Sequence, residues 1–203
     1  MKRILLSIFM LITLCGCSAK PKEYASVQDK LMKMQSYRAD VEITYISSKE
    51  KSVFKAVQSA ASDGRYKMVT YYPDNFKDNA ILFDGKMIWQ YNPNVEKKIS
   101  VSASDKPERS ELILFSFMEN YVKSTDTTVS AASIEDTDCT VLEADIEGAG
   151  KYISSEKLWV SNEDMTPQRL VIYDSDKNER ISVVFTDFEY NPTFEENEFV
   201  PQK

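Results

Sequence analysis

A chain of 203 residues with 32 acidic against 25 basic side chains and no histidine is long enough to bury one sizeable core, and its composition removes several chemistries. Without imidazole there is no Ser-His-Asp or Cys-His nucleophile, no histidine general base, and none of the usual zinc, copper or non-haem iron sites. A net charge of −7 argues against nucleic acid, whose phosphates need concentrated positive charge, and no cofactor or metal loop is legible, so none is expected.

Lys2 and Arg3 precede a run from Ile4 to Leu14 that is apolar except for Ser7 and Thr13. It falls short of the roughly 20 residues a membrane helix needs and has the build of a secretory signal. The following Leu14-Cys15-Gly16-Cys17 resembles the bacterial lipobox. That resemblance implies that residues 1–16 are removed, that Cys17 becomes a lipidated first residue, and that residues 17–24 tether a single domain spanning 25–203. Attachment through more than one acyl chain is stable, which places the domain at the extracytoplasmic face of a bacterial membrane. Cys139 is then the only thiol left, so no intramolecular disulfide is expected. Within "DCTVLEADI" it reads as a small buried hydrophobe.

Val27, Leu31 and Met34 follow helical spacing and predict a helix from about Tyr24 to Gln35. From Tyr37 the period changes to two: Tyr37, Ala39, Val41, Ile43 and Tyr45 share one face of a strand. Strand-like runs recur at Val53–Ala61, Arg65–Tyr72, Ala80–Phe83, Lys86–Tyr91 and Glu96–Val101, separated by Asp-Gly, Pro and Asn turns. "SELILFSFMENYVKS" predicts a second helix with Ser110 as its cap and Leu112, Phe115, Met118 and Tyr121 or Val122 on its buried side. Strands follow at Cys139–Ile146, Lys157–Val160, Gln168–Tyr173 and Arg180–Phe188. "DSDKN" (Asp174 to Asn178) has the beginning of a calcium loop but no glycine at the turning position, and reads as a hairpin turn.

Runs of strands interrupted by few helices define an α+β fold. About ten antiparallel strands cannot stay flat, so the expected architecture is a strongly curved sheet with two or three helices on its concave side. The hairpin across Asp84-Gly85 is expected to set Leu82 opposite Met87 and Ala80 opposite Trp89, with Tyr91 on the same side. Leu82, Met87, Trp89 and Tyr91 would then furnish that concave face, either as a packed core or as the lining of an apolar cavity.

"ILFDGKMIWQYNPNVEKKISV", "LWVSNEDMTPQRLVIYD" and "VVFTDFEYNPTFEENEFVP" resemble, in that order, segments of the LolA/LolB lipoprotein-carrier superfamily. The resemblance, which extends to the "MQSYRADVEITY" opening, implies a half-barrel enclosing an apolar, acyl-binding cavity. Among anchored members the chain is most similar to clostridial spore-germination lipoproteins of the GerS type. Those imply a non-enzymatic role as partner of the N-acetylmuramoyl-L-alanine amidase that modifies spore-cortex peptidoglycan. A lipid or lipoprotein carrier is the alternative. An enzyme built on Glu195, Glu196 or Glu198 is disfavoured, because acids in a polar tail lack the burial that raises a pKa. An open sheet also leaves edges, and a homodimer formed by strand exchange or edge pairing is expected from them.

Overall fold

The computed structural model describes residues 22–95, 98–102 and 109–201. Cys17, with its leader and most of its tether, lies outside the described residues. Helix α1 (Lys22–Met32) is followed by β1 (Ser36–Ile46), β2 (Lys51–Ala61), β3 (Tyr66–Tyr72), β4 (Ala80–Phe83), β5 (Met87–Tyr91) and β6 (Lys98–Ser102). A 3-10 turn at Ser110–Leu112 leads into α2 (Leu114–Lys123), and β7 (Thr128–Ile134), β8 (Thr137–Gly150), β9 (Ile153–Ser161), β10 (Pro167–Tyr173) and β11 (Glu179–Tyr190) complete the chain order.

All eleven strands form one antiparallel sheet in the order β6-β5-β4-β3-β2-β1-β11-β10-β9-β8-β7. It is two meanders sewn together where β1 pairs with β11. The sheet is curved and unclosed and carries the two helices on its concave side, the half-barrel that the resemblance implies. The alternation in β1 decides which face is which: Tyr37, Ala39, Val41 and Ile43 are buried, while Arg38 and Glu42 are not. Val27 and Leu31 bring α1 onto the same core, but the helix ends at Met32, short of the expected Gln35, and Met34 is buried from the link to β1.

The second helix differs from its predicted start. Ser110 opens the 3-10 turn instead of capping α2, and Ile113, in extended conformation, occupies the cap position without a side-chain hydrogen bond. The buried stripe restarts at Leu114 and continues through Phe117 and Met118, leaving Val122 61% exposed. The cause lies across the core. The Tyr37 hydroxyl donates to Gln58 Oε1 at 2.5 Å and accepts from the Leu114 N–H at 3.0 Å. Gln58 Nε2 in turn donates to the Leu112 carbonyl at 3.2 Å. One of the orphan donors of a helix N-terminus is thus satisfied by a strand residue, which fixes where the helix begins.

The Asp84 hairpin also differs. The paired residues are Leu82 with Trp89 and Ala80 with Tyr91, two residues out of step with the Asp-Gly turn expected. Asp84 explains the longer loop: Oδ1 accepts from the Lys86 and Met87 N–H groups at 2.9 and 2.8 Å, and Oδ2 from Trp89 Nε1 at 2.8 Å. Burial works to raise the Asp84 carboxyl, yet these hydrogen bonds outweigh it and hold its pKa below the usual carboxylate range. Strand β7, absent from the sequence reading, is made of small residues with neither an apolar run nor clear alternation.

"DSDKN" is a turn, as expected, and Asp174 organises it. Its carboxylate accepts from the N–H groups of Asp176 and Asn178, both at 2.9 Å, and from Arg180 Nε at 2.8 Å. Burial works to raise its pKa, but the bonds from Asn178, Asp176 and Arg180 prevail and lower it. A depressed folded-state pKa contributes stability that is full above about pH 4 and is lost as pH falls through the folded value. Asp174→Asn is therefore expected to be less stable than wild type at pH 7, with the gap closing below pH 4, as read by urea unfolding at both pH values.

Candidate functional site

Two hollows flank the β3–β5 region, one on each face. The concave one, of about 620 Å³, is within the size range of small-ligand sites. Tyr45, Phe54 and Phe76 stand edge to face along its wall, with centroids 5.8 and 5.3 Å apart. Arg109, in a left-handed conformation with φ 64°, sits at this hollow and donates from Nη1 to the Tyr45 hydroxyl at 2.9 Å. Met68 and Ile81 are apolar lining, and Asn79, whose buried Oδ1 has no hydrogen-bond partner among the described residues, adds a polar spot.

The convex hollow, of about 360 Å³, holds Leu82, Trp89 and Tyr91 against Lys67, Val200 and Pro201. Three of the four predicted lining residues gather in one place, but on the face opposite the helices instead of the concave face expected; Tyr91 also reaches the concave hollow. Met87 is half-buried at the hairpin and lines neither. The face is set by the strand period: Ile81, Phe83 and Ile88 join the Tyr66 and Met68 side of the sheet, so Leu82 and Trp89 must point the other way.

A C-terminal strap closes this second hollow. Asn191 Oδ1 accepts from the Gln35 N–H at 2.7 Å, Arg38 lies 5.2 Å over the Phe194 ring, and Arg65 lies 5.1 Å over that of Phe199. Glu198 stands 3.5 Å from Arg38 and 3.8 Å from Lys67. The acid is thereby committed to holding the strap, while Glu195 and Glu196 are exposed. No group of three or more His, Cys, Asp or Glu side chains among the described residues could hold a metal.

Cys139 is fully buried and a free thiol, and burial raises its pKa, the opposite of what a nucleophile needs. The lining of the concave hollow, Tyr45, Phe54, Phe76, Asn79 and Arg109, was not among the predicted site residues, and Glu156 is a buried acid beside α2 that the sequence does not announce. In "EKLWVSNEDM" it looks like a solvated charge, but it is 1% exposed and accepts from Asn120 Nδ2 of α2 at 2.7 Å. Its signal was positional: Glu156 is two residues from Leu158 on a strand, and therefore on the same face.

A curved, open antiparallel sheet with helices across its concave side defines a LolA-like half-barrel fold. An uncharacterised conserved protein of Thermus thermophilus shares the fold with a TM-score of 0.57 at 12% identity, over 90% of this chain and 93% of that one. The structure of the CwlD amidase of Clostridioides difficile in complex with the GerS lipoprotein gives a TM-score of 0.51 at 23% identity, over 86% and 97% of the two chains. In sequence, the sporulation protein YdcC of Bacillus subtilis (strain 168) is 21% identical over 195 residues. That match takes in 96% of this chain, which spans 57% of the length of that relative. The chain belongs to the sporulation protein YdcC-like family, whose model matches residues 1–199.

Proposed function

We propose that the protein is a non-enzymatic lipoprotein, anchored through Cys17 at the outer face of the membrane, that binds a peptidoglycan amidase acting on the spore cortex. The observation that carries this reading over a carrier is the solid centre of the concave side. Tyr37, Phe117, Leu142, Leu158 and Leu170 are completely buried there, and the Tyr37–Gln58 pair bolts the start of α2 to the sheet. Opening that space to an acyl chain would orphan several buried polar groups at about 1–3 kcal/mol each. Family membership and the GerS complex support the sporulation setting and an amidase as partner. The concave hollow beside Arg109 keeps a lipid or lipoprotein carrier as the second reading, since its volume and aromatic wall suit an apolar ligand.

The test is capture of the tagged full chain, and of its Cys17→Ala variant, from sporulating cells in mild detergent, with mass spectrometry of protein and lipid. Wild type is expected in the membrane fraction with a stoichiometric amidase, and Cys17→Ala in the soluble fraction. Acyl lipid or a client lipoprotein in place of the amidase would establish the carrier.

A further inference from the structure

We propose that the open edge of β7 takes up an extended segment of a partner protein whose ends are basic. This rests on the reading that the protein works by binding another protein, and it names the surface and the chemistry of what binds. β7 ends the sheet, so one side of it has no neighbouring strand among the described residues. Exposed edges are ordinarily guarded by charge, proline, a bulge or a covering segment. The seven residues Thr-Val-Ser-Ala-Ala-Ser-Ile carry no charge and no proline, and their pairing with β8 runs without a register shift from Thr128 to Ile134. Five of the seven are exposed.

The hairpin fixes which backbone groups face out. Ile134 pairs with Thr137 across the two residues Glu135 and Asp136, with Glu135 at φ 52°. The residues flanking a two-residue turn form a hydrogen-bonded pair, and such pairs alternate along the ladder. Ile134, Ala132, Ser130 and Thr128 therefore bond to β8, and Val129, Ala131 and Ser133 turn their N–H and C=O groups outward at intervals of about 7 Å. A strand laid alongside would satisfy all of them, the mode of recognition called β-addition.

Charge selects the occupant. Glu135, Asp136 and Asp138 stand at one end of β7, and the loop carrying Glu163 and Asp164 is tied to them by the Asn162 N–H, which donates to the Asp138 carbonyl at 2.9 Å. Asp126 stands at the other end, residues 124–138 contain no Lys or Arg, and Lys123 is engaged by Glu119 at 2.6 Å. A second copy pairing antiparallel about Ala131 would bring Asp126 against Glu135 and Asp136, like charge on like. A segment of uncharged, β-forming residues between Lys or Arg meets the opposite sign at both ends, which favours and steers its docking.

The test uses the full chain in detergent with two synthetic peptides, each an alternating Thr-Val core, flanked by Lys-Lys in one and Glu-Glu in the other. Residue-resolved hydrogen exchange is expected to slow about tenfold at Val129, Ala131 and Ser133 with the Lys-flanked peptide and to be unchanged with the Glu-flanked one. Ala131→Pro, at a position whose N–H faces solvent and where proline is tolerated, is expected to keep the circular dichroism of the wild type and lose the protection. Ala131→Lys, which keeps the N–H, is expected to weaken binding of the Lys-flanked peptide. Protection absent in wild type, retained in Ala131→Pro or equal with both peptides overturns the proposal, as does concentration-dependent protection without peptide, which would make a second copy the occupant. The amidase separates this from the proposed function: capture by wild type but not by Ala131→Pro supports the edge, and equal capture by both overturns the edge alone. If no amidase is captured at all, that reading fails, while peptide protection still decides the edge.

Discussion

Replacing Tyr37 by Phe is expected to cost about 2–4 kcal/mol, although it removes a single oxygen. The ring is completely buried and stacks on Phe188 at 5.4 Å, so packing survives the change. What is lost is the acceptor for the Leu114 N–H and the donor to Gln58 Oε1. Both are left in the interior without water, and an unmet buried group costs more than an average hydrogen bond contributes. Denaturant unfolding of Tyr37→Phe, Gln58→Met and the double variant checks this: the double variant is expected to lose less than the sum of the two singles, because each single orphans the other's partner. The pH dependence adds a second readout. Burial raises the Tyr37 hydroxyl pKa, the hydrogen bond from Leu114 offsetting only part of it. A raised folded-state value contributes stability that is full below the unfolded pKa of about 10 and is lost as pH rises above it. The stability gap between wild type and Tyr37→Phe should therefore narrow above pH 10.

This same cluster marks where sequence reading stopped. The alternation of β1 placed Tyr37 in the core, because burial of one face follows from the period alone. That its hydroxyl would set the start of a helix 77 residues away depends on a long-range contact that no local pattern encodes. The error at Ser110 has this origin: a good capping residue type stood at a plausible start, but Tyr37 held Leu114 instead. Likewise the Asp-Gly pair at residues 84 and 85 correctly announced a hairpin. Its register depended on Asp84 folding its carboxylate back onto Lys86, Met87 and Trp89. The grouping of Leu82 of β4 with Trp89 and Tyr91 of β5 was legible, because the register moved by two residues, an even step that keeps the facing, whereas a slip of one would have separated them. Which side of the sheet they occupy was decided by where α2 and the C-terminal strap lie. β7 was invisible because it buries almost nothing, which is also why it is the edge that can accept another strand.

Phe117→Ala distinguishes a solid half-barrel from a hollow one. Phe117 is completely buried in α2 and its ring stacks on Tyr121 at 5.9 Å. Around it stand Leu114 and Met118 of the same helix, within the core shared with Leu142, Leu158 and Leu170 of the sheet. Such a site cannot collapse freely, since the start of α2 is held by Tyr37 and its face by Asn120 on Glu156. Truncation there should cost the transfer of the ring plus the void it leaves, about 3–5 kcal/mol, by urea unfolding with an unchanged m-value. If the space beneath α2 were a ligand cavity in the wild type, Phe117 would already border a void and its removal would cost far less. A fluorescent fatty acid gives the complementary reading. Wild type is expected to exclude it from beneath α2, while Phe117→Ala opens room for it there. Any binding by wild type is expected at the separate hollow beside Arg109, and Phe54→Ala rather than Phe117→Ala should alter it. A wild type that binds beneath α2 would return the working part of the molecule to its interior and remove the main physical reason for preferring a partner-binding scaffold.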